Sequence, residues 1–494
     1  MFRKISILTT CVLLWGSAHS QQVITLDKAM QIAEEKSPTL QSTLLSLERS
    51  QQMLKAQKAS MKSQFLMTLD PVSYGQNRSF DEYASTWYTS ENFQTSGTFR
   101  IDQPILPTNG TISLVNQFGW QINNSSASSL HENKSFSNNL YLSLNQPLFS
   151  YNSLKQQLKT LELDLENTNL SYAMQRLSLE RDVTQYFYNV YMAQMSLSIA
   201  KDELANTERS FEISKNKVEA GLLAGEELLQ AELNYIESKS SVQNAIVTLE
   251  NAKDAFKQYI GMDIYEEITV MASLDVTPVE VDVKQATQYA LSSRMELRQR
   301  EIDIQNSLFD LISTKATNEF KGDLNLAIGL VGQDAKLSDI YANPTRNPNV
   351  SLSFNVPIFD WGERKARIRA QETVIETQKL NYESEKTQII VDIRSTVRNL
   401  QNQLIQIEIS EKSEKNAQLT YEINLERYGN GDLTGMDLSQ FQTQLSNAKK
   451  SSAQSLIDYK IQLLNLKIQT LYDFVNQTPI VPDDIMEEGL KLVE

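Results

Sequence analysis

The 494-residue sequence holds one cysteine and two histidines, and these scarcities narrow what the chain can be. Cys11 and His19 both fall in the first twenty residues, where Arg3 and Lys4 precede the apolar stretch from Ile5 to Trp15 and Ala18-His19-Ser20 precedes Gln21. That order has the three regions of a secretory signal and predicts cleavage after Ser20, so residues 1–20 are read as a signal peptide. The mature chain then keeps only His131, which leaves almost nothing from which to build a zinc or copper site or a histidine-based triad. Cofactors and metals are not expected. Positive charge is also short. The formal net charge is −15, with 46 basic residues against 61 acidic, and loss of the signal removes two of the basic residues and no acid. Such a surface does not suit nucleic acid, whose phosphates call for lysine and arginine. Nor is there a later run near the roughly 20 apolar residues of a membrane-spanning helix. An exported chain of this kind is either soluble or part of a β-barrel.

What is present is a duplication. Gln146-Pro147-Leu148-Phe149 and Val356-Pro357-Ile358-Phe359 lie 210 positions apart, as do the glycine turns around Gly221 and Gly431. Upstream, Lys28-Ala29-Met30-Gln31-Ile32-Ala33 parallels Gln285-Ala286-Thr287-Gln288-Tyr289-Ala290 at an offset of 257. The difference places an insertion at about 66–110. The organisation is read as a first repeat over 21–262, a second over 263–475 and a tail over 476–494. Each Pro-Leu/Ile-Phe is followed by 66 residues free of proline, 155–220 and 363–428. A continuous helix of that length is about 100 Å long and needs a packed seam. Leu158, Leu161 and Leu165, and then Val183, Phe187 and Val190, supply apolar residues at helical spacing. Shorter returning runs at 226–259 and 436–474, with Leu229, Leu233 and Ile236 or Leu438, Phe441 and Leu445, are expected to fold back as antiparallel partners.

The segments before each proline alternate with a period of two. Leu324, Leu326, Ile328 and Leu330 stand opposite Asp323, Asn325 and Ala327, and Val350, Leu352 and Phe354 opposite Ser351, Ser353 and Asn355. In the first repeat Leu140, Leu142 and Leu144 alternate with Tyr141, Ser143 and Asn145, and Ile112, Leu114, Phe118, Trp120 and Ile122 are set among Ser113, Gln117 and Gln121. A soluble sheet with one wet face shows the same pattern. Export, very long helices and segments of about ten residues favour tilted strands crossing a bilayer. Four strands do not close a barrel, because the smallest use eight, so several chains would have to combine.

Taken in order, these residues resemble the TolC-type outer-membrane efflux family. The resemblance rests on Thr25-Leu26-Asp27-Lys28-Ala29 through Ser37-Pro38-Thr39-Leu40, on Arg294-Met295-Glu296-Leu297-Arg298, on Pro357-Ile358-Phe359-Asp360-Trp361-Gly362, and on the tips Gly221-Leu222 and Arg427-Tyr428 with Gly431. It implies a mainly α fold with membrane β structure: a homotrimer whose 12-stranded β-barrel in the outer membrane continues into a periplasmic α-helical barrel. Implied partners are a periplasmic adaptor (a membrane fusion protein), an inner-membrane transporter and outer-membrane lipid, with no enzymatic activity. By resemblance, Tyr428 falls at a gating tyrosine and Asp437 at a constriction-lining aspartate. Leu433 replaces an arginine and Gln440 a second aspartate. Glu226 and Glu227 take neighbouring threonine and aspartate positions in the first hairpin. Gly221 and Leu222 match the adaptor-binding tip, whereas Gly431-Asp432 keeps only the glycine. The rival readings are a periplasmic coiled-coil scaffold or adaptor without a pore, and a carboxylate-based exported hydrolase, whose paired acids would have to face one another across a cleft.

A ring of like carboxylates favours cations. Replacing Asp437 by alanine is accordingly expected to weaken cation selectivity, read as a reduced reversal potential across a salt gradient in a planar bilayer.

Overall fold

The computed structural model describes residues 22–82, 85–125, 133–221, 224–430, 432–480 and 482–493. The signal-peptide assignment lies outside them. In chain order come β1 (Gln22–Ile24), α1 (Leu26–Lys36), α2 (Pro38–Ser60), β2 (Gln64–Asp81), β3 (Thr86–Ile105), β4 (Gly110–Ser125) and β5 (Asn133–Leu148). The first long hairpin is α3 (Ser153–Glu219) with α4 (Gly225–Ile260), followed by β6 (Ile268–Val270), α5 (Val283–Ser293) and α6 (Met295–Lys315). Then come β7 (Lys321–Asp334), β8 (Thr345–Arg346), β9 (Asn349–Asn355), and the second hairpin of α7 (Glu363–Asn430) and α8 (Gly435–Thr470). A short pair, β10 (Tyr472–Asp473) and β11 (Thr478–Pro479), precedes α9 (Pro482–Val493). Among the described residues no helix is long and apolar enough to cross a membrane.

The proline-free runs are single helices of 67 and 68 residues, and each is followed by a returning helix of 36. The chain divides into two compact units, and each draws on both repeats: 1–45, 171–295 and 386–491 in one, and 46–170, 296–385 and 492–494 in the other.

The first unit is helical, and its core is aromatic. Phe187 and Phe256 meet edge to face at 6.1 Å, Tyr186 stacks on Tyr259 at 4.7 Å, and Tyr289 stacks on Tyr472 at 4.5 Å. The Tyr186-Phe187-Tyr188-Tyr191 cluster is therefore packing, with Phe187 and Tyr188 buried. Burial pushes the Tyr188 phenol above its ordinary pKa. Lys467 reaches Glu180 at 2.9 Å, and Arg176 pairs with Glu34 and with Glu488 of α9, which fixes the C-terminal helix against α3.

The returning helices behave differently from each other. Leu438 and Leu445 of α8 are buried, as expected of a seam. Leu229, Leu233 and Ile236 of α4 are instead exposed in the single chain, as are Ile405, Ile409, Leu419 and Ile423 of α7. The heptad spacing of α4 thus marks an outward stripe rather than the inner seam of its hairpin.

The second unit holds the sheet. All four strands expected from alternation are there, and their order is β4-β5-β7-β9, antiparallel throughout. The segment at about 66–110, read from sequence as an insertion apart from the strands, is part of the same sheet. β2 and β3 form a hairpin that pairs along β4 from Ser90↔Ser125 to Ile105↔Gly110. Each chain therefore supplies six main strands, not four. β8 continues the line of β9 along β7. The strands also run beyond the alternating segments, to Ser125 in β4 and from Asn133 in β5.

One glycine shows how closely the first unit packs. Gly261 caps α4 at φ +76°, and a Cβ there would stand 2.1 Å from the carbonyl oxygen of Lys36 at the end of α1. Gly261→Ala meets both a left-handed backbone and a clash with main chain, and should cost at least about 1–3 kcal/mol. The expected result is a lowered denaturation temperature of the detergent-solubilised protein, with Gly225→Ala, which has open space around it, as the mild control.

Candidate functional site

Two places in the fold hold the candidate residues, the sheet and the hairpin tips. Register fixes which residues share a face of the sheet. Phe65, Met67 and Leu69 of β2 stand beside Phe99 and Ile101 of β3; Leu114 of β4 meets Leu142 of β5, which meets Ile328 of β7; Leu144 meets Leu326, which meets Val350 of β9. The opposite face carries Thr68, Thr98, Gln117, Tyr141, Ser143, Asn325, Ser351 and Ser353 by the same registers. Polar groups on it pair with one another, Asn145 donating across to Asn325 at 2.7 Å and Arg100 along β3 to Asp102 at 2.7 Å. The apolar face is exposed, Val350 at 76% and Met67 at 66%. Water does not tolerate so broad an apolar patch on a monomer.

Aromatic side chains border that face at both ends. Phe93 and Trp120 meet at 5.9 Å and Phe118 and Phe136 at 6.4 Å at one level, while Phe149, Phe320 and Phe354 follow one another at 5.4 and 5.6 Å at the other. The twelve residue steps from Phe136 to Leu148 on β5 span about 40 Å along the strand, or about 30 Å at a tilt of ~40°, the thickness of a hydrocarbon core. Trp120, Leu142, Leu326 and Phe354 lie on the face that would meet lipid, and Tyr141 on the polar one.

At the tips, α3 is followed by a turn at Gly221, φ +71°, whose N–H donates to Val218 O at 3.0 Å. Leu222 lies outside the described residues, and so does Gly431. α4 starts at Gly225 without a side-chain cap, and Glu226 and Glu227 occupy its first turn, where carboxylates offset the helix dipole. In the second hairpin Thr434 caps α8. Its Oγ1 accepts from Asp437 N–H at 3.2 Å and donates to Asp437 Oδ2 at 2.6 Å, a reciprocal cap in which an aspartate serves at the third helical position. Asp437 is thus committed to its own helix start, and this holds its carboxylate in place.

Tyr428 joins the two hairpins. It is buried, its ring lies 5.7 Å from the Lys217 ammonium on the last turn of α3, and its edge sits over Gly435 of α8. A cavity of about 410 Å³ between the hairpins is lined by Ser214, Glu226, Glu227, Tyr428, Thr434 and Gln442, and an adjoining one of about 370 Å³ by Lys217, Glu227, Tyr428, Asp432 and Asp437. The structure therefore gathers Tyr428, Glu226, Glu227, Asp432 and Asp437 around two adjoining cavities that share Glu227 and Tyr428. Gln440 is exposed and Gly221 lies outside both cavities. Arg427 turns back on its own helix to Asn424 at 3.2 Å. Lys217 is the group sequence reasoning missed: its basic charge in the last turn was visible, but its partner 211 residues away was not. Thr434 could have been found, since Thr-x-x-Asp before Leu438 is a capping signature.

The chain thus carries a sheet apolar on one face and polar on the other, bordered by aromatic residues, and two helical hairpins with acidic tips. The chain belongs to the outer membrane efflux protein family, whose model matches residues 112–261 and 286–468. It is 22% identical over 317 residues to the outer membrane protein TolC of Escherichia coli, a match covering 60% of this chain and 62% of TolC, and 20% identical over 311 residues to the probable outer membrane lipoprotein SilC of Salmonella typhimurium, covering 62% and 66%. The matches thus span slightly less than two thirds of those relatives. The fold is similar to that of the Campylobacter jejuni CmeC outer membrane channel, with a TM-score of 0.70 at 15% identity over 95% of this chain and 90% of that one. It is also similar to the open state of the Neisseria gonorrhoeae MtrE outer membrane channel, with a TM-score of 0.65 at 15% identity over 92% and 90%. The family is one of channel proteins rather than enzymes, and TolC-like channels are trimers that work with an adaptor and an inner-membrane transporter.

Removing the Lys217 ammonium or the Tyr428 ring takes away a contact of about 0.5–2 kcal/mol. If that contact favours the closed tips, Lys217→Ala and Tyr428→Ala should raise open-channel occupancy by a factor of about 2 to 30, measured as single-channel conductance. Tyr428→Phe keeps the ring over Lys217 and should stay near the parent.

Proposed function

We propose that the chain is the outer-membrane exit duct of a tripartite efflux or type I secretion system. It passes substrates handed over by an inner-membrane transporter and a periplasmic adaptor to the exterior, and three copies form the duct. The observation that carries this reading is the one-sided sheet, whose exposed apolar face has no use in an aqueous scaffold. The outward apolar stripes of α4 and α7 support the trimer: isolated in water they are unstable surfaces, and against a second copy they become a seam. Glu226, Glu227, Asp432 and Asp437 near Lys217 give the two tips of each chain an acidic surplus, so the six tips of three chains brought together make a cation-favouring constriction with Tyr428 as its intramolecular latch. The tip residues Gly221, Leu222, Gly431 and Asp432 are the adaptor contact in this reading. The pore-free periplasmic scaffold has no role for six strands with a lipid-facing side.

The test is conductance of the purified mature protein in a planar bilayer. Small, cation-selective steps are the expected outcome. A folded trimer that never inserts would return the chain to the scaffold reading and make its sheet a soluble one.

A further inference from the structure

The two added strands change how the sheet can close. In the single chain the free edges are β2 and β9, since β3 occupies the whole outer edge of β4. In hydrocarbon each unpaired backbone N–H and C=O costs several kcal/mol, so an open edge does not persist there. Six strands are too few to close on themselves, because barrels begin at eight. The edges must therefore meet edges of other copies.

They match in length and chemistry. Before its bulge at Asp70/Ser73, β2 offers seven residues, Gln64 to Asp70, and β9 is seven residues long, Asn349–Asn355. Both start from the helix-bearing end of the sheet, β2 following α2 and β9 preceding α7 by a few residues. Each run ends at a proline, Pro71 in one and Pro348 in the other. Along these seven residues Phe65, Met67 and Leu69 continue the apolar face that Val350, Leu352 and Phe354 carry at the far edge.

The hairpin is also built as wall. Its strands run antiparallel to their neighbours in simple up-and-down order, and it joins β4 by a short turn, Leu106 to Asn109, at the end of the sheet where α3 starts. Asn152 donates to Leu106 O at 2.5 Å, and Ser153 and Leu154 donate to Asn109 Oδ1 at 3.1 and 3.3 Å. Short turns at the periplasmic end are the rule for membrane barrels.

We propose that each chain contributes six strands to the membrane wall, with β2 of one copy pairing β9 of the next, so that the trimer closes as an 18-stranded barrel. A barrel of 16 to 18 strands leaves an open aqueous lumen, and the hairpin tips then remain the narrow point. This inference rests on the trimeric-channel reading above.

Disulfide trapping in intact outer membranes tests it, because the sole cysteine, Cys11, lies in the signal segment. Double variants pairing Thr68→Cys with Ser351→Cys or Ser353→Cys should give chains covalently linked into trimers on oxidation, seen on denaturing gels and reversed by reductant. Pairing Gln117→Cys or Ser113→Cys on β4 with the same β9 positions should give none. Cross-links only from β4 would overturn the proposal in favour of a 12-stranded wall with the hairpin displaced. So would the absence of both from a trimer that stays heat-resistant in unheated samples. Absence of any heat-resistant trimer in the parent chain would sink the trimeric channel itself, and this proposal with it.

Discussion

Backbone hydrogen bonding in a medium without water is the constraint on which the rest depends. A strand in hydrocarbon has to be paired on both sides, and this chain makes too few strands to pair them all alone. Its sheet is consequently a fragment of a larger closed object. The same incompleteness is written into the helices: α4 and α7 present apolar rows that no described residue of the chain covers, while the inner rows of α3 and α8 are buried among Phe187, Phe256, Leu438 and Leu445.

The tips follow a different logic. They are polar, and they are held by local chemistry rather than by a core: a reciprocal cap between Thr434 and Asp437, a left-handed glycine at 221, and an aromatic ring over an ammonium. Such contacts are individually small and reversible, whereas the aromatic core of the same unit is not easily rearranged.

Much of this was legible in the chain itself. Proline-free runs of 66 residues gave α3 and α7 nearly to the residue, because nothing else stops so long a helix. The alternation of Leu324 to Leu330 and Val350 to Phe354 gave their strands and faces. The β2–β3 hairpin was not legible, for a physical reason. Pro71 sits in a bulge, so the lipid-side residues are odd-numbered up to Leu69 and even-numbered from Tyr74 onward, and a period of two is lost. In β3 the apolar face is diluted by Thr95, Gly97 and Gln103. The outward direction of Leu229, Leu233 and Ile236 was hidden too, since heptad spacing marks a seam without saying whose. At the tips Tyr428, Glu227 and Asp437 could be placed from the duplicated turns, but Lys217 joins them only once two hairpins distant in sequence lie side by side.

The pairing of β5 with β7 places Leu142 beside Ile328, and the whole first hairpin of helices lies between them in the chain. That contact closes a loop of nearly two hundred residues, an ordering step that comes slowly. During export the first four strands emerge long before their remaining partners, with an apolar face and a free edge uncovered. The nascent chain is thus most prone to aggregate in the interval before residue 334 is available, and periplasmic holding chaperones matter most to it there.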